Sequence, residues 1–394
     1  MTTRAATRNG IKSLQIGMHW FPERAGGLDR MYYSLVQALP DAGVAVRGMV
    51  AGSPRIAHET GGAIRGFGPA QQALPLRLMA ARKAFASAVR TERPDVISSH
   101  FALYTWPGLD VARDIARVSH FQGPWADESG VEGAASLGQR AKHWLERTVY
   151  ARSTRFIVLS EAFGQILTSR YGVSPERVRV VPGCVDVARF DIDMTRAQAR
   201  TRLQLPQDRP IVLAVRRLVR RMGLEDLIDA MALLKARRGS ADAMLLIAGK
   251  GRIADELQAR IVEKGLEHDV KLLGFVPDDR LAELYRAATL SVVPTVALEG
   301  FGLITAESLA AGTPVLVTPV GGLPEAVAGL SKDLVLRSPG AQAISDGLES
   351  ALYGRMQLPD AKACRDYALA NFDNAVIARR VADVYREAVE AGAV

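Results

Sequence analysis

Residues 294–312 read PTVALEGFGLITAESLAAG, and two carboxylates, Glu299 and Glu307, stand on either side of a short glycine-broken segment within it. Ala306, Leu309 and Ala310 recur at i, i+3 and i+4, with Gly312 and Pro314 as a stop, so the second half is expected to be a helix with Leu303 near its first turn. Backbone N–H groups at a helix start point at whatever lies ahead of them, and the helix dipole favours an anion there, a phosphate being the obvious one. Gly300 and Gly302 let a backbone come close to a ligand, while carboxylates only accept hydrogen bonds, which suits sugar hydroxyls. The pattern suits a molecule carrying both phosphate and hydroxyls. By themselves the same residues also read as a loop with one surface Glu and a solvated helical Glu.

The stretch EGFGLITAE runs on into AGTPVLVTPVGGLPEAV, and together they resemble the Glu-x7-Glu signature of the retaining family-4 glycosyltransferases, which have the GT-B fold. The resemblance implies that Glu299 lies beside the transferred sugar and that Glu307 binds the ribose of a nucleotide. It also implies that backbone N–H groups of Phe301, Gly302, Leu303 and Ile304 contact the donor.

Upstream, RPIVLAVRRLVRRMGLEDLIDAMALL reads as strand, basic loop and helix. It is similar to the family's Gly-Arg-Leu-x-x-x-Lys-Gly segment, whose Arg and Lys neutralise the donor diphosphate. Arg217 matches the Arg, but Met222 occupies the Lys position and Arg216 the first Gly position. A diphosphate leaving group gathers negative charge as its bond breaks, so a missing cation matters unless a neighbour such as Arg220 or Arg221 replaces it. On this reading Arg217→Ala weakens donor binding far more than Arg216→Ala. MLLIAGKGR is a strand running into a turn with Gly249 and Gly251, matching a family segment near the nucleotide. In VKLLGFVPDDRLAELYRAATLSVVPT, backbone groups around Phe275 and Val276 would receive the base, which leaves uracil, guanine and adenine all open.

The first half carries fewer such signals. SLQIGMHW reads as an opening strand, followed by the loop FPERAGGLDR and a helix from about Met31 to Leu39. Gly26 and Gly27 fit either the turn's own geometry or the close approach of a ligand. The resemblance implies a Gly-Gly pair facing the donor phosphates and the acceptor. VAVRGMVA is a strand, and a basic helix from about Leu74 to Thr91 carries Arg77, Arg82, Lys83 and Arg90 between apolar residues. Such a helix packs an apolar stripe on a sheet or lies on an anionic membrane. PDVISSHF and ARVSHFQGPW each deliver a histidine, His100 and His120, at a strand end, where an open α/β sheet lines its ligand crevice. The segment VSHFQGP resembles the family's strand-end His beside the transferred sugar, which gives His120 a site role; His100 and His19 have weaker grounds. In ADESGVEGAASLG, Asp127, Glu128 and Glu132 read as a solvated loop or as acceptor contacts. Ser160 is a candidate N-cap for SEAFGQILTSRYG.

VRVVPGCVDVARF marks a domain boundary, with Gly183-Cys184 where the family wording is Asn-Gly. The DID run at 191–193 falls in a linker and is not read as a metal site. Length and composition agree with two soluble α/β domains: 394 residues, 48% hydrophobic and 23% charged. No apolar run approaches the about 18 residues of a membrane span. The N-terminal MTTRAATRNG has no apolar core of a secretory signal. Cys184 and Cys364 lack metal-type spacing, so a reducing cytoplasm is expected; the inner face of the membrane is the alternative that the basic helix leaves open. The net charge of +8 is scattered except in RRLVRR at 216–221, and no nucleic-acid-binding signature is present.

The resemblance thus implies an α/β chain of GT-B type, two doubly wound Rossmann-like domains facing across a cleft. Residues 1–187 would bind the acceptor, 188–370 the nucleotide-sugar donor, and 371–394 would form a helix crossing back to the first domain. The implied activity is retaining, metal-independent hexosyl transfer from a nucleotide diphosphate sugar to a hydroxyl acceptor, lipid-linked ones included, in polysaccharide or glycolipid assembly. No cofactor and no nucleic-acid partner are expected. Two rivals are a catalytically weak sugar-nucleotide-binding subunit supporting a partner enzyme, suggested by Met222, and a sugar-nucleotide epimerase of the same fold.

Overall fold

Parallel strands covered on both faces need apolar residues at nearly every position. The sequence supplies them in MLLIA, whose residues are all buried in the computed structural model, whereas ARVSHF is equally buried but carries Arg117, Ser119 and His120 among its apolar residues. The structure describes residues 10–24, 26–127, 136–238, 243–354 and 356–394. Contacts divide the chain into two units, one built from the residues up to Val181 together with Asn374–Val394, the other from Pro182–Asp373. The division thus falls at Val181 rather than after residue 187, and the returning C-terminal segment begins at Asn374 rather than 371.

The first unit is a seven-stranded parallel sheet. Its strands are β1 (Ile11–His19), β2 (Val44–Ala51), β3 (Ile64–Gly66), β4 (Val96–Ser99), β5 (Ala116–Phe121), β6 (Arg155–Val158) and β7 (Val178–Val180), in the order β3-β2-β1-β4-β5-β6-β7. The second is a five-stranded parallel sheet of β8 (Ile211–Val215), β9 (Met244–Ala248), β10 (Val270–Gly274), β11 (Leu290–Val293) and β12 (Val315–Val317), in the order β10-β9-β8-β11-β12. In both, the chain winds outward first one way and then the other. The strand order therefore reverses between β1 and β4 and again between β8 and β11. At such a switch point the loops diverge and leave a crevice beyond the carboxyl strand ends.

Helix placement follows the apolar periodicity, with one shift. The first helix spans Gly27–Ala38, not Met31–Leu39, so Gly26 is its N-cap and Gly27 its first residue rather than parts of a loop. Asp29 in its first turn explains the early start: its carboxylate accepts the backbone N–H of His19 at 3.0 Å and ties the helix to the end of β1. The basic helix spans Leu74–Thr91 as expected, burying Ala81 and Phe85 while Leu76 and Met79 stay exposed. Ser160 caps the helix Glu161–Tyr171 by accepting from the Phe163 N–H. The helix Asn374–Ala391 buries Ile377, Ala378, Val381, Tyr385 and Ala388, a stripe at helical spacing, within the first unit. Among the described residues no helix is long and apolar enough to cross a membrane. Both cysteines are buried and unpaired. Asp191 of the DID run pairs with Arg286 and Arg365.

Candidate functional site

In the second unit the chemistry gathers where β8, β9, β11 and β12 end. The loop after β11 carries Glu299, and the helix Leu303–Ala310 follows it directly. Gly302, in the left-handed region at φ +73°, caps that helix without any side-chain acceptor, so the turn that aims its N–H groups outward is made by the backbone alone. A Cβ on Gly302 would meet Leu323 at 2.7 Å and come within 3.9 Å of the Glu299 carboxyl carbon, so the helix start and the carboxylate are immediate neighbours. Thr305 in the first turn has a buried hydroxyl with no hydrogen-bond partner among the described residues.

The Glu299 loop is held from several sides. Arg221 donates to the Leu298 carbonyl at 2.8 Å, the Val296 N–H donates to the Arg221 carbonyl, and the Gly322 N–H donates to the Glu299 carbonyl. Gly321 lies so close that a Cβ would be 1.9 Å from the Glu299 carbonyl oxygen. Leu298 itself sits at φ +53°, a left-handed conformation that a non-glycine residue keeps only where its surroundings over-determine it.

Arg216 makes the central contact. Its Nη2 donates to Glu299 Oε2 at 2.5 Å and also to Thr295 Oγ1, with both charged side chains largely buried. Burial would raise the Glu299 carboxyl, but the charge and hydrogen bond of Arg216, with Arg221 and Thr295, outweigh it and hold Glu299 below the ordinary carboxylate value. Glu299 is therefore an anion at neutral pH. Gly249, at φ +147°, admits this arrangement, since a Cβ there would lie 1.8 Å from the Arg216 carbonyl oxygen. The glycine singled out for nucleotide approach thus has a packing reason of its own.

Met222 is buried. Arg220 turns outward to Glu256 at 2.6 Å and Glu225 at 3.4 Å, and Arg217 is exposed. Glu307, also buried, is oriented by the Tyr285 hydroxyl, which donates to its Oε2 at 3.2 Å. The Phe301 ring is buried and packs edge-on against Phe372. Leu303 and Ile304 are half-buried in the first helical turn. Phe275 and Val276 follow β10, with the Phe275 ring 55% exposed beneath Lys250.

In the first unit the strand ends hold a neutral network instead. His120 on β5 stacks on His100, with ring centroids 3.9 Å apart. His120 Nε2 lies 3.2 Å from the Tyr385 hydroxyl, which also reaches Gln15 and Ser98, while His100 Nε2 lies 2.9 Å from Gln15 Oε1. Burial pushes His120 down to about 3 and His100 well below its usual value, with the neighbouring His120 adding to the latter. Both imidazoles are neutral at physiological pH, so neither works as a proton donor there by being charged. Nδ1 of each is buried without a partner among the described residues. His19 meets Asp29 and Arg24. Gly26 and Gly27 begin the helix beside it, and a Cβ on Gly26 would stand 3.0 Å from Asp29. Asp127 pairs with Arg170, whereas Glu128 and Glu132 lie outside the described residues.

Sequence reasoning missed Thr295, Thr305, Tyr285, Tyr385, Gln15 and Ser98 as neighbours of these groups, and it treated Arg216 as a departure rather than a participant. Only Arg216 left a usable signal, a large cation at an expected glycine.

With this geometry in hand, two family models match the chain: Glycosyltransferase Family 4 over residues 25–189 and Glycosyl transferases group 1 over residues 195–370. The chain is 30% identical over 306 residues to an uncharacterised glycosyltransferase of Methanocaldococcus jannaschii, covering 76% of this chain and 77% of that protein. It is 34% identical over 312 residues to D-inositol 3-phosphate glycosyltransferase 1 of Catenulispora acidiphila, covering 76% of this chain and 73% of the relative. Among solved structures, sucrose-phosphate synthase from Thermosynechococcus elongatus superposes with a TM-score of 0.78 at 23% identity, covering 97% of this chain and 100% of that one. Anabaena HepE in complex with UDP does so with a TM-score of 0.76 at 19% identity, covering 96% and 100%.

Proposed function

Because the chain belongs to the group 1, family-4 glycosyltransferases and has their GT-B fold, we propose that it transfers a hexose-type sugar, with retention and without a metal, from a nucleotide diphosphate sugar to a hydroxyl acceptor. The observation that carries this reading is the ionised Glu299 lying against the glycine-capped start of the helix Leu303–Ala310. An anion-seeking helix start beside a fixed hydrogen-bond acceptor suits a ligand in which a diphosphate adjoins a polyhydroxylated ring. The similarity to a HepE structure that contains UDP supports a nucleotide-linked donor.

In this reading Glu307 holds the ribose, and the N–H groups at Gly302, Leu303 and Ile304 take the phosphates with Arg217 and Arg221. The turns at Gly249, Phe275 and Val276 receive the nucleoside. Glu299 places the sugar; the family resemblance gives His120, as a neutral hydrogen-bonding imidazole, a role toward the same sugar and gives Gly26 and Gly27 one toward the donor phosphates and acceptor. Developing charge on the leaving diphosphate is met by donors already in place, which lowers the barrier without reorganisation. The protein would act at the cytoplasmic side of polysaccharide or glycolipid assembly, where a lipid-linked acceptor is one of the candidates.

The test is a screen of UDP-, GDP- and ADP-sugars with chelator present, following calorimetric binding and slow donor hydrolysis together. One donor should bind tightly and be hydrolysed, and Glu299→Ala should lower hydrolysis by about a hundredfold or more. No binding to any of them would sink the reading. The buried Met222 favours a second reading, a binding subunit without turnover; donor binding with no transfer to any acceptor would support it.

A further inference from the structure

The loop after β8 carries its positive charge in a different place from the one the family wording gives. Where a glycine is usual stands Arg216, and where a lysine is usual stands Met222, which is buried. Of the neighbouring arginines, Arg220 is engaged outward with Glu225 and Glu256, and Arg221 spends a donor on the Leu298 carbonyl. Arg216 is buried directly against Glu299 and Thr295 through Nη2 alone, and its Nε is buried with no hydrogen-bond partner among the described residues. A guanidinium has five N–H donors in a rigid fork, so it can hold one carboxylate and still face a second anion. A buried charged donor left unmet is unfavourable, and an anionic ligand oxygen would relieve it.

We propose that Arg216 supplies the donor-site charge that Met222 does not. Nη2 fixes the Glu299 carboxylate against Thr295, and the remaining N–H groups take an oxygen of the sugar diphosphate. The inference rests on the transferase reading above. It reverses the expectation that Arg217 outweighs Arg216, and it makes the Gly-to-Arg and Lys-to-Met departures one compensated exchange. The charged groups facing Glu299 are Arg216 from the end of β8 and Arg221 from the following turn.

The experiment measures affinity for the donor found in the screen, and the pH profile of its slow hydrolysis, in Arg216→Lys, Arg216→Met, Arg216→Met with Glu299→Gln, and Arg217→Ala. Lysine keeps the charge beside Glu299 but has a single nitrogen, so a folded protein with affinity reduced about tenfold is expected. Methionine should weaken binding by about a hundredfold. Without the counter-charge, burial lifts Glu299, so the acid limb of hydrolysis should move up by about one pH unit or more in Arg216→Met, and this limb should be absent from the double variant. Arg217→Ala should cost less than Arg216→Met. Affinity within about threefold of wild type in Arg216→Lys, or a larger loss in Arg217→Ala, overturns the proposal. If Arg216→Met does not fold, the lysine variant and the double variant, which removes both charges, decide it. A wild-type chain that binds no nucleotide sugar fails the functional reading itself, whereas donor binding untouched by Arg216→Lys fails only this inference.

Discussion

The two units solve the same architectural problem with opposite chemistry. Each is a doubly wound parallel sheet with polar residues gathered at the carboxyl strand ends. In the first, those ends carry two stacked neutral histidines, a tyrosine, a glutamine and a serine in a hydrogen-bonded network. In the second they carry a buried ion pair, Arg216 with Glu299, braced by glycines that permit backbone contact. Burial makes the difference instructive. An imidazole loses its charge when desolvated and can go on serving as a neutral hydrogen-bonding group. A carboxylate under the same burial stays ionised only because a cation is fixed beside it. The neutral end suits recognition of hydroxyls, and the charged end suits an anionic ligand.

The sharpest way to break this comparison is at Gly249. Alanine there would put a Cβ 1.8 Å from the Arg216 carbonyl oxygen at φ +147°, which should cost about 4 kcal/mol and displace the arginine. All four tryptophans, Trp20, Trp106, Trp125 and Trp144, belong to the first unit. The expected result in urea is therefore a new low-denaturant transition in far-UV circular dichroism that tryptophan fluorescence does not follow. A single unshifted transition by both probes would mean the glycine is not needed.

Acid tests the neutral end. His120 has a folded-state value near 3 against an ordinary 6.5, so the unfolded chain binds the proton first. Its contribution to stability is present above pH 6.5 and is lost as pH falls toward 3. At pH 5 that loss is about 2 kcal/mol. Glu146 works the other way: burial raises it to about 7, so the folded chain gains as pH falls through 7, and wild-type stability alone would hide the effect. The measurement is the difference between wild type and His120→Gln, in which Glu146 cancels. From pH 7 to pH 5, fluorescence-detected stability should move by about 2 kcal/mol in favour of the variant. A constant difference would show that His120 takes up its proton in the folded state.

The smallest effect sharpens the charged end. Arg220 and Glu256 are both more than half exposed, and such pairs contribute about 0–1 kcal/mol. Arg220→Ala should leave the denaturation midpoint and donor affinity unchanged within error. A large loss of affinity would return Arg220 to the phosphate site.

Much of the fold was legible in the sequence, because buried parallel strands are apolar at most positions and helices must repeat their apolar face. VAVRGMVA and the helix Leu74–Thr91 have the boundaries expected of them. The start of the first helix was misplaced because Asp29 binds across to the end of β1, a contact between residues that no local pattern records. Within the candidate site, Glu299, Glu307 and the glycine-capped helix start were readable because their spacing is local. Arg216 was not, since a sequence shows that a cation replaces a glycine but not where its guanidinium goes.

By itself, then, the sequence determined that this chain builds two parallel α/β units, and which loops lie at the carboxyl ends of their strands. Those features depend on periodicity and glycine placement within short windows. Only the tertiary structure decided which charges survive burial, that of Glu299 through Arg216 and those of His100 and His120 not at all, and only it withdrew Met222 into the interior and brought Tyr385 to His120 from the far end of the chain. Protonation and hydrogen bonding depend on what lies within a few ångströms in space, and residues separated by hundreds of positions meet there only once the chain has folded.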